Sequence, residues 1–419
     1  MNRSLAVLLA LAAAGCGHST SGDDANGGTP PDASTFAADL RAAHDLAGAH
    51  HAAADLATAV PGDLATAATD DAATDADLAT GADLAIGNDL AIGNDLAPPC
   101  GGCPVGYTCG TANGLPVCRA PSGIPLFTSV FVVLMENTTL GTLQSAMKAN
   151  GAPNLSSLAA KFASGSDYHG VAHPSLPNYI ALTSGDTQGI GCDCKAQPGQ
   201  GSCNFATCNA LLSLCTCSQN VMNLADQLEA ANLSWMAFGE DMGAPCNLVD
   251  AGKYAVRHVP FLYYDDVQTN GARCNAHVVD FKGFDANKAA RFNFIAPNLT
   301  DDMHDPIVAT QQNIANGDSW LGPQVAAILA SPAWTDGGLL VVVWDEDDFS
   351  GLLGADNPIP IFVASPYGKG GGYVSAVKAD HYSLLATFED GLGLGGRLGN
   401  AGKARAGIAD TLADYFPAQ

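Results

Sequence analysis

The stretch His173-Pro174-Ser175-Leu176-Pro177-Asn178-Tyr179 sets a hydroxyl between two prolines, with an amide three residues on and the apolar run Ile180–Leu182 behind it. Proline fixes φ and biases the residue before it toward extended geometry, so Ser175 is held in a stiff turn. A serine presented just before a helix N-terminus can serve as a nucleophile beside an anion site. The same residues also suit an N-cap in a proline-containing loop. Two further patterns bear on the choice. The apolar run Val130–Met135 stops at Glu136-Asn137, and the run Leu339–Trp344 stops at Asp345-Glu346-Asp347-Asp348. Such oxygen donors fit either a turn or a metal site. Packed carboxylates repel unless they face solvent or a cation neutralises them. A donor set made of oxygen alone selects a hard divalent ion such as Mg or Ca over Zn.

Histidine adds a third pattern. Of ten histidines, four (His18, His44, His50 and His51) lie in a low-complexity stretch, leaving His169, His173, His258, His277, His304 and His381. His258 stands in Arg257-His258-Val259-Pro260-Phe261 and His304 in Asn298-Leu299-Thr300-Asp301-Asp302-Met303-His304-Asp305. His381 stands in Asp380-His381-Tyr382. A single histidine of this kind is more often a loop or core residue than a catalyst. Several together could supply charge and protons to a reaction at acidic pH.

The elements that must position these groups occupy residues 124–419, expected to be one globular unit. The runs Val130–Met135, Phe292–Ala296, Leu339–Trp344 and Ile359–Val363 read as buried strands. Asn223–Ala231, Gln324–Leu329 and Tyr382–Glu389 read as helices. Near-continuous apolar strands between helices imply an α/β fold, a mostly parallel central sheet with helices on both faces. In such folds ligands bind beyond the carboxyl ends of the strands, which is where the acids stand.

The first 119 residues carry other signals. Residues 1–16 have a basic start, a short apolar stretch and Ala13-Ala14-Gly15-Cys16, the pattern of a lipoprotein signal with Cys16 as the lipidated terminus. The chain is expected to be exported and held at the cell envelope or surface by its N-terminal lipid, with plain secretion as the alternative. Residues 17–99 repeat Asp-Leu-Ala and read as a disordered, self-repelling tether; their fourteen Asp and one Arg supply −13 of the formal charge of −25. The remainder is acidic without a basic patch, which argues against nucleic acid as a partner. Residues 100–119 hold Cys100, Cys103, Cys109 and Cys118 and read as a small two-disulfide segment, with zinc the rival at Cys100 and Cys103. Eight more cysteines follow between Cys192 and Cys274. With Cys16 set aside the other twelve form an even set, as disulfides require, and Cys192–Cys217 reads as a stapled insertion.

Taken in order, Val133-Leu134-Met135-Glu136-Asn137, the His173–Tyr179 stretch, the His258 and His304 segments, Trp344-Asp345-Glu346-Asp347-Asp348 and the His381 segment resemble the phosphoesterase family. That family comprises bacterial acid phosphatases and phospholipases C of the alkaline-phosphatase-like superfamily. The resemblance is to the small secreted acid phosphatases, some of which act on phosphatidylinositol 3-phosphate. It implies a phosphoric ester hydrolase that acts on phosphomonoesters, phosphoinositide head groups among them, through a phosphoserine at Ser175. It also implies one divalent metal ion on Glu136, Asn137, Ser175, Asp345 and Glu346. Asn178 is expected to donate to a phosphoryl oxygen, with His304, His381, His258 and His173 around the phosphate. The alternatives are a phospholipase C-type phosphodiesterase and a non-catalytic surface-binding lipoprotein.

Overall fold

The computed structural model describes residues 102–197, 216–304, 310–348 and 356–418. The expected signal over 1–16, the tether over 17–99 and residues 198–215 of the cysteine-rich insertion lie outside the described residues.

The apolar runs fold as strands. β1 (Thr108–Ala112) and β2 (Leu115–Arg119) form a hairpin. β3 (Val130–Met135), β4 (Ala163–Gly165), β5 (Trp235–Gly239), β6 (Val278–Asp280), β7 (Phe292–Ala296), β8 (Leu339–Trp344), β9 (Ile361–Ala364) and β10 (Val374–Ser375) form one sheet. Its order is β10-β4-β9-β8-β3-β7-β5-β6. Strands β8, β3, β7, β5 and β6 run parallel, and β9 is reversed against both β8 and β4. Every residue of β3, β7, β8 and β9 is buried, so both faces of the sheet are covered, as unbroken apolar runs require. The fold is the expected α/β class with a mostly parallel sheet.

Seven helices matter here: α1 (Leu140–Lys148), α2 (Pro153–Lys161), α3 (Ser175–Ser184), α4 (Leu224–Ala230), α5 (Gly271–His277), α6 (Gln311–Ala330) and α7 (His381–Gly391). Helix α3 packs on α7, and α2 on α6. The helix expected over 324–329 is only the last part of the 20-residue α6. Gly317, Gly322 and Pro323 interrupt its apolar pattern, which is why the sequence shows only its end. Gly317 serves close approach, since a Cβ there would lie 2.5 Å from Met303 Cγ. Asn313 of the same helix donates to the Met303 carbonyl at 2.6 Å, so α6 clamps the loop that carries Asp302 and His304. The strand expected at Ile359 begins at Ile361, because Pro360 has no N–H to give a ladder.

The hairpin turns through Asn113 and Gly114, at φ 51° and 79°, a two-residue turn that needs positive φ. It is bonded to the body. Asn113 donates to the carbonyls of Pro366 and Gly368 at 2.9 and 2.8 Å, and Tyr107 donates to the Asp390 carbonyl at 2.5 Å. Cys103 is disulfide-bonded to Cys118, which removes it as a zinc ligand. Cys194–Cys217 and Cys246–Cys274 are also disulfides. Among the described residues no helix is long and apolar enough to cross a membrane.

Candidate active site

Strand register brings the acids together. In the parallel pair β3/β8, Met135 lies opposite Trp344, so Glu136 and Asp345 leave the sheet side by side. The Asp345 N–H donates to the Met135 carbonyl at 3.0 Å, and the Asn137 N–H donates to Asp345 Oδ1 at 3.2 Å. Asn137 takes φ 44°, a region asparagine tolerates better than most residues. On the β7 side the Glu136 N–H donates to the Asp302 carbonyl at 2.8 Å. Three strand ends are thus tied at one point.

Helix α3 delivers the hydroxyl. It begins at Ser175 itself, with Pro174 extended at its N-cap, so Pro177 stands inside the first turn where its missing N–H costs nothing. Ser175 is buried, and its Oγ lies 3.0 Å from Glu136 Oε2 and 3.1 Å from Glu346 Oε1. Tyr179, four residues on and therefore on the same helix face, donates to Glu136 Oε1 at 2.5 Å. His173 Nδ1 meets Glu346 Oε2 in a close contact, and its Nε2 lies 3.8 Å from Asp347.

Burial lifts all three carboxyls. Glu136 is pushed well up by desolvation and then by repulsion from Asp345 and Asp302, against the hydrogen bond from Tyr179 and the charge of Arg257. Asp345 is raised to about 7 by desolvation, and Glu346 well up by desolvation with Asp345 and Asp193 beside it. Asn137 Oδ1 and Asp345 Oδ2 are buried without a hydrogen-bond partner. Unpartnered oxygens among uncompensated acids are what an oxygen-ligated cation would satisfy. Among the described residues no three His, Cys, Asp or Glu side chains stand in the geometry of a ready-made metal centre. Glu136 and Glu346 point instead at the Ser175 hydroxyl.

The histidines divide. His258 is buried between Glu136 and Asp302, its Nε2 3.0 Å from Glu136 Oε1 and its Nδ1 3.2 Å from Asp302 Oδ2, with its ring stacked on Tyr179. Desolvation, Arg257 and His304 push its pKa well below the usual 6.5. The fixed charge on that side is Arg257, whose Nη2 lies 3.3 Å from His304 Nε2. His381 stands behind the site. Its Nε2 meets the Asp345 carbonyl at 2.7 Å and its Nδ1 the Tyr168 hydroxyl at 3.1 Å, so both ring nitrogens are used to brace the strand end. Asn178 is equally committed: Oδ1 accepts from the N–H groups of Val171 and Ala172, and Nδ2 donates to the carbonyls of Ala172 and Pro174. It shapes the loop before Ser175, and no donor is left for a phosphoryl oxygen.

Four residues not singled out from sequence join the site: Tyr179, Asp302, Arg257 and Asp193. The i, i+4 spacing from Ser175 could have found Tyr179. Asp302 and Arg257 sit in segments noted for their histidines. Nothing local marks Asp193. Its Oδ1 accepts the Leu176 N–H at 3.0 Å and its Oδ2 lies 3.6 Å from Arg257 Nε.

Comparison with known proteins relates the chain to phosphoric ester hydrolases. Residues 131–395 match the model of the phosphoesterase family. A phosphatidylinositol-3-phosphatase of Mycobacterium tuberculosis is 34% identical over 284 residues, covering 66% of this chain and 80% of that protein. An acid phosphatase of Aspergillus fumigatus is 28% identical over 248 residues, 54% of this chain and 48% of that protein, so the chain spans about half of it. A solved alkaline-phosphatase-superfamily protein from Vibrio parahaemolyticus is 13% identical with a TM-score of 0.44, covering 72% of this chain and 73% of that one.

Proposed function

The chain belongs to the phosphoesterase family and is a phosphoric ester hydrolase, and from that premise we propose that it is an exported, divalent-cation-dependent acid phosphatase cleaving phosphomonoesters through Ser175. The observation that carries this is the Ser175 hydroxyl at the N-terminus of α3, within 3.1 Å of two buried carboxylates at the sheet's carboxyl edge. The similarity to a phosphatidylinositol-3-phosphatase supports phosphoinositide head groups among its esters. The signal pattern ending at Cys16 supports export as a lipid-anchored protein.

The oxygens of Glu136, Asn137, Asp345, Glu346 and Ser175 fit a hard divalent ion, Mg or Ca rather than Zn. Such an ion would stabilise the serine alkoxide and offset the charge of the ester phosphate. The rest falls to the chain. Ser175 Oγ attacks phosphorus in line, its proton passing to a carboxylate that already accepts from it. The bond from phosphorus to the ester oxygen breaks, and the leaving oxygen takes a proton from His173, the half-exposed histidine bonded to Glu346. Water then attacks the phosphoserine, phosphate departs and Ser175 recovers its proton. Burial lowers the pKa of His173 from 6.5 against the pull of Asp347, so its cationic form exists on the acid side and an acidic optimum follows. Arg257 and the N–H groups that open α3 offer donors to the equatorial oxygens.

The test uses purified full-length protein, p-nitrophenyl phosphate, bis-p-nitrophenyl phosphate, phosphatidylcholine and phosphatidylinositol 3-phosphate. We expect monoester turnover, fastest at acid pH, lost with a chelator and restored by Mg or Ca. Faster diester turnover sinks the monoester reading, and full activity after chelation sinks the cation.

A further inference from the structure

Prolines leave α3 with few amide donors for an anion. Positions 174 and 177 have no N–H, so of the four groups that open the helix only those of Ser175 and Leu176 remain. The Leu176 N–H is already taken by Asp193 Oδ1 at 3.0 Å. The other oxygen of the same carboxylate lies 3.6 Å from the Arg257 guanidinium. One carboxylate therefore spans a helix-terminal amide and a fixed cation, the pairing a phosphate dianion would seek there. A second feature marks this end of the helix as a ligand position. Asp345, 0% exposed and held through Oδ1 by the Asn137 N–H next to the Glu136 that contacts Ser175, keeps Oδ2 without a partner.

Asp193 reaches the site from the cysteine-rich insertion, not from the sheet. Cys194 is disulfide-bonded to Cys217, and Cys192 on its other side is disulfide-bonded as well. Staples on both neighbours restrict how far the carboxylate can withdraw. The Asp193 side chain is 29% exposed, so it stands at the mouth of the site, where an incoming phosphate can push it aside.

We propose that Asp193 is a built-in competitor for the substrate phosphate, an autoinhibitory carboxylate that an ester must displace from the Leu176 N–H and Arg257 before Ser175 can attack. This rests on the reading that phosphate docks at the start of α3. Because a like charge occupies the position, the carboxylate weakens phosphate binding and raises KM, while the chemical step after displacement keeps its rate.

The experiment measures inorganic phosphate binding by calorimetry on the full chain, together with KM and kcat for p-nitrophenyl phosphate. It compares wild type with Asp193→Asn and Asp193→Ala. Asparagine keeps an acceptor for the Leu176 N–H and is nearly isosteric, so it preserves the fold even where alanine does not; thermal melting checks both. Removing the charge is expected to tighten phosphate by about tenfold and lower KM by a similar factor, with kcat unchanged or raised. Unchanged or weaker phosphate binding in Asp193→Asn overturns the competitor role, since the carboxylate would then only cap the helix or hold Arg257 in place. If wild type and both variants all fail to bind phosphate, the docking position itself is wrong and this proposal falls with it.

Discussion

Two acidic trios in this molecule have opposite fates. Around Ser175, Glu136, Asp345 and Glu346 are buried and raised, with a hydroxyl between two of them. Around Arg273 on α5, Asp226, Glu229 and Asp266 bond one guanidinium at 2.8, 2.8 and 2.5 Å. There the hydrogen bonds from Asp226 and Arg273 outweigh desolvation and lower Asp266, while desolvation and the same carboxyl contact raise Asp226. Composition alone does not separate the two. The surface trio carries its own cation and is a clasp, whereas the buried trio is desolvated at the strand ends, where ionising it is costly. Clustered acids signal chemistry when the fold withholds both solvent and a side-chain cation.

The largest expected effect comes from removing the hydroxyl. Ser175→Ala should cut kcat by about 10³-fold or more while the melting temperature and cation binding hold, and retained turnover would exclude Ser175 as nucleophile. Asp345→Asn attacks the same trio through charge. It should weaken divalent-cation affinity at least about tenfold, checked by calorimetric titration, and an unchanged affinity removes Asp345 as a ligand. Arg273→Met tests the other trio. It should cost about 1–3 kcal/mol of stability in urea unfolding and leave kcat/KM untouched; an activity loss at equal stability would break the contrast.

An effect on stability and its pH dependence alone concerns a buried acid that belongs to neither trio. Glu389 of α7 accepts the Leu398 N–H through Oε1, leaves Oε2 without a partner, and is raised to about 8 by desolvation. A carboxyl raised on folding contributes stability that is fully present below its unfolded value of 4.5 and is lost as pH rises through about 8. Glu389→Gln should therefore match wild type near pH 4.5 and exceed it above pH 8 in thermal melts. An identical pH slope in both proteins would mean that the carboxyl is not raised.

Much of the fold was legible because its signals are local. The runs Val130–Met135 and Leu339–Trp344 are buried over their full length, and each ends where an acid begins. Helix α6 shows only its end in the sequence because Gly317, which lets Met303 approach, and Gly322-Pro323 erase its apolar period. At the site, residue type identified which side chains could do chemistry but not which way they would face. His381 spends its ring nitrogens on the Asp345 carbonyl and the Tyr168 hydroxyl, both distant in sequence, and Asn178 spends its amide on the backbone of the loop just before Ser175.

By itself the sequence determined the strands, the acids at their ends and the proline-bounded serine, because hydrophobic runs and proline stereochemistry act over a few residues. Only the tertiary structure decided that Met135 pairs with Trp344, which sets Glu136 beside Asp345. It alone also decided that His258 is buried between Glu136 and Asp302, and that Asp193 crosses from a stapled loop to the helix that carries Ser175. Register, desolvation and long-range reach depend on which surfaces pack together, and no short window of residues contains that information.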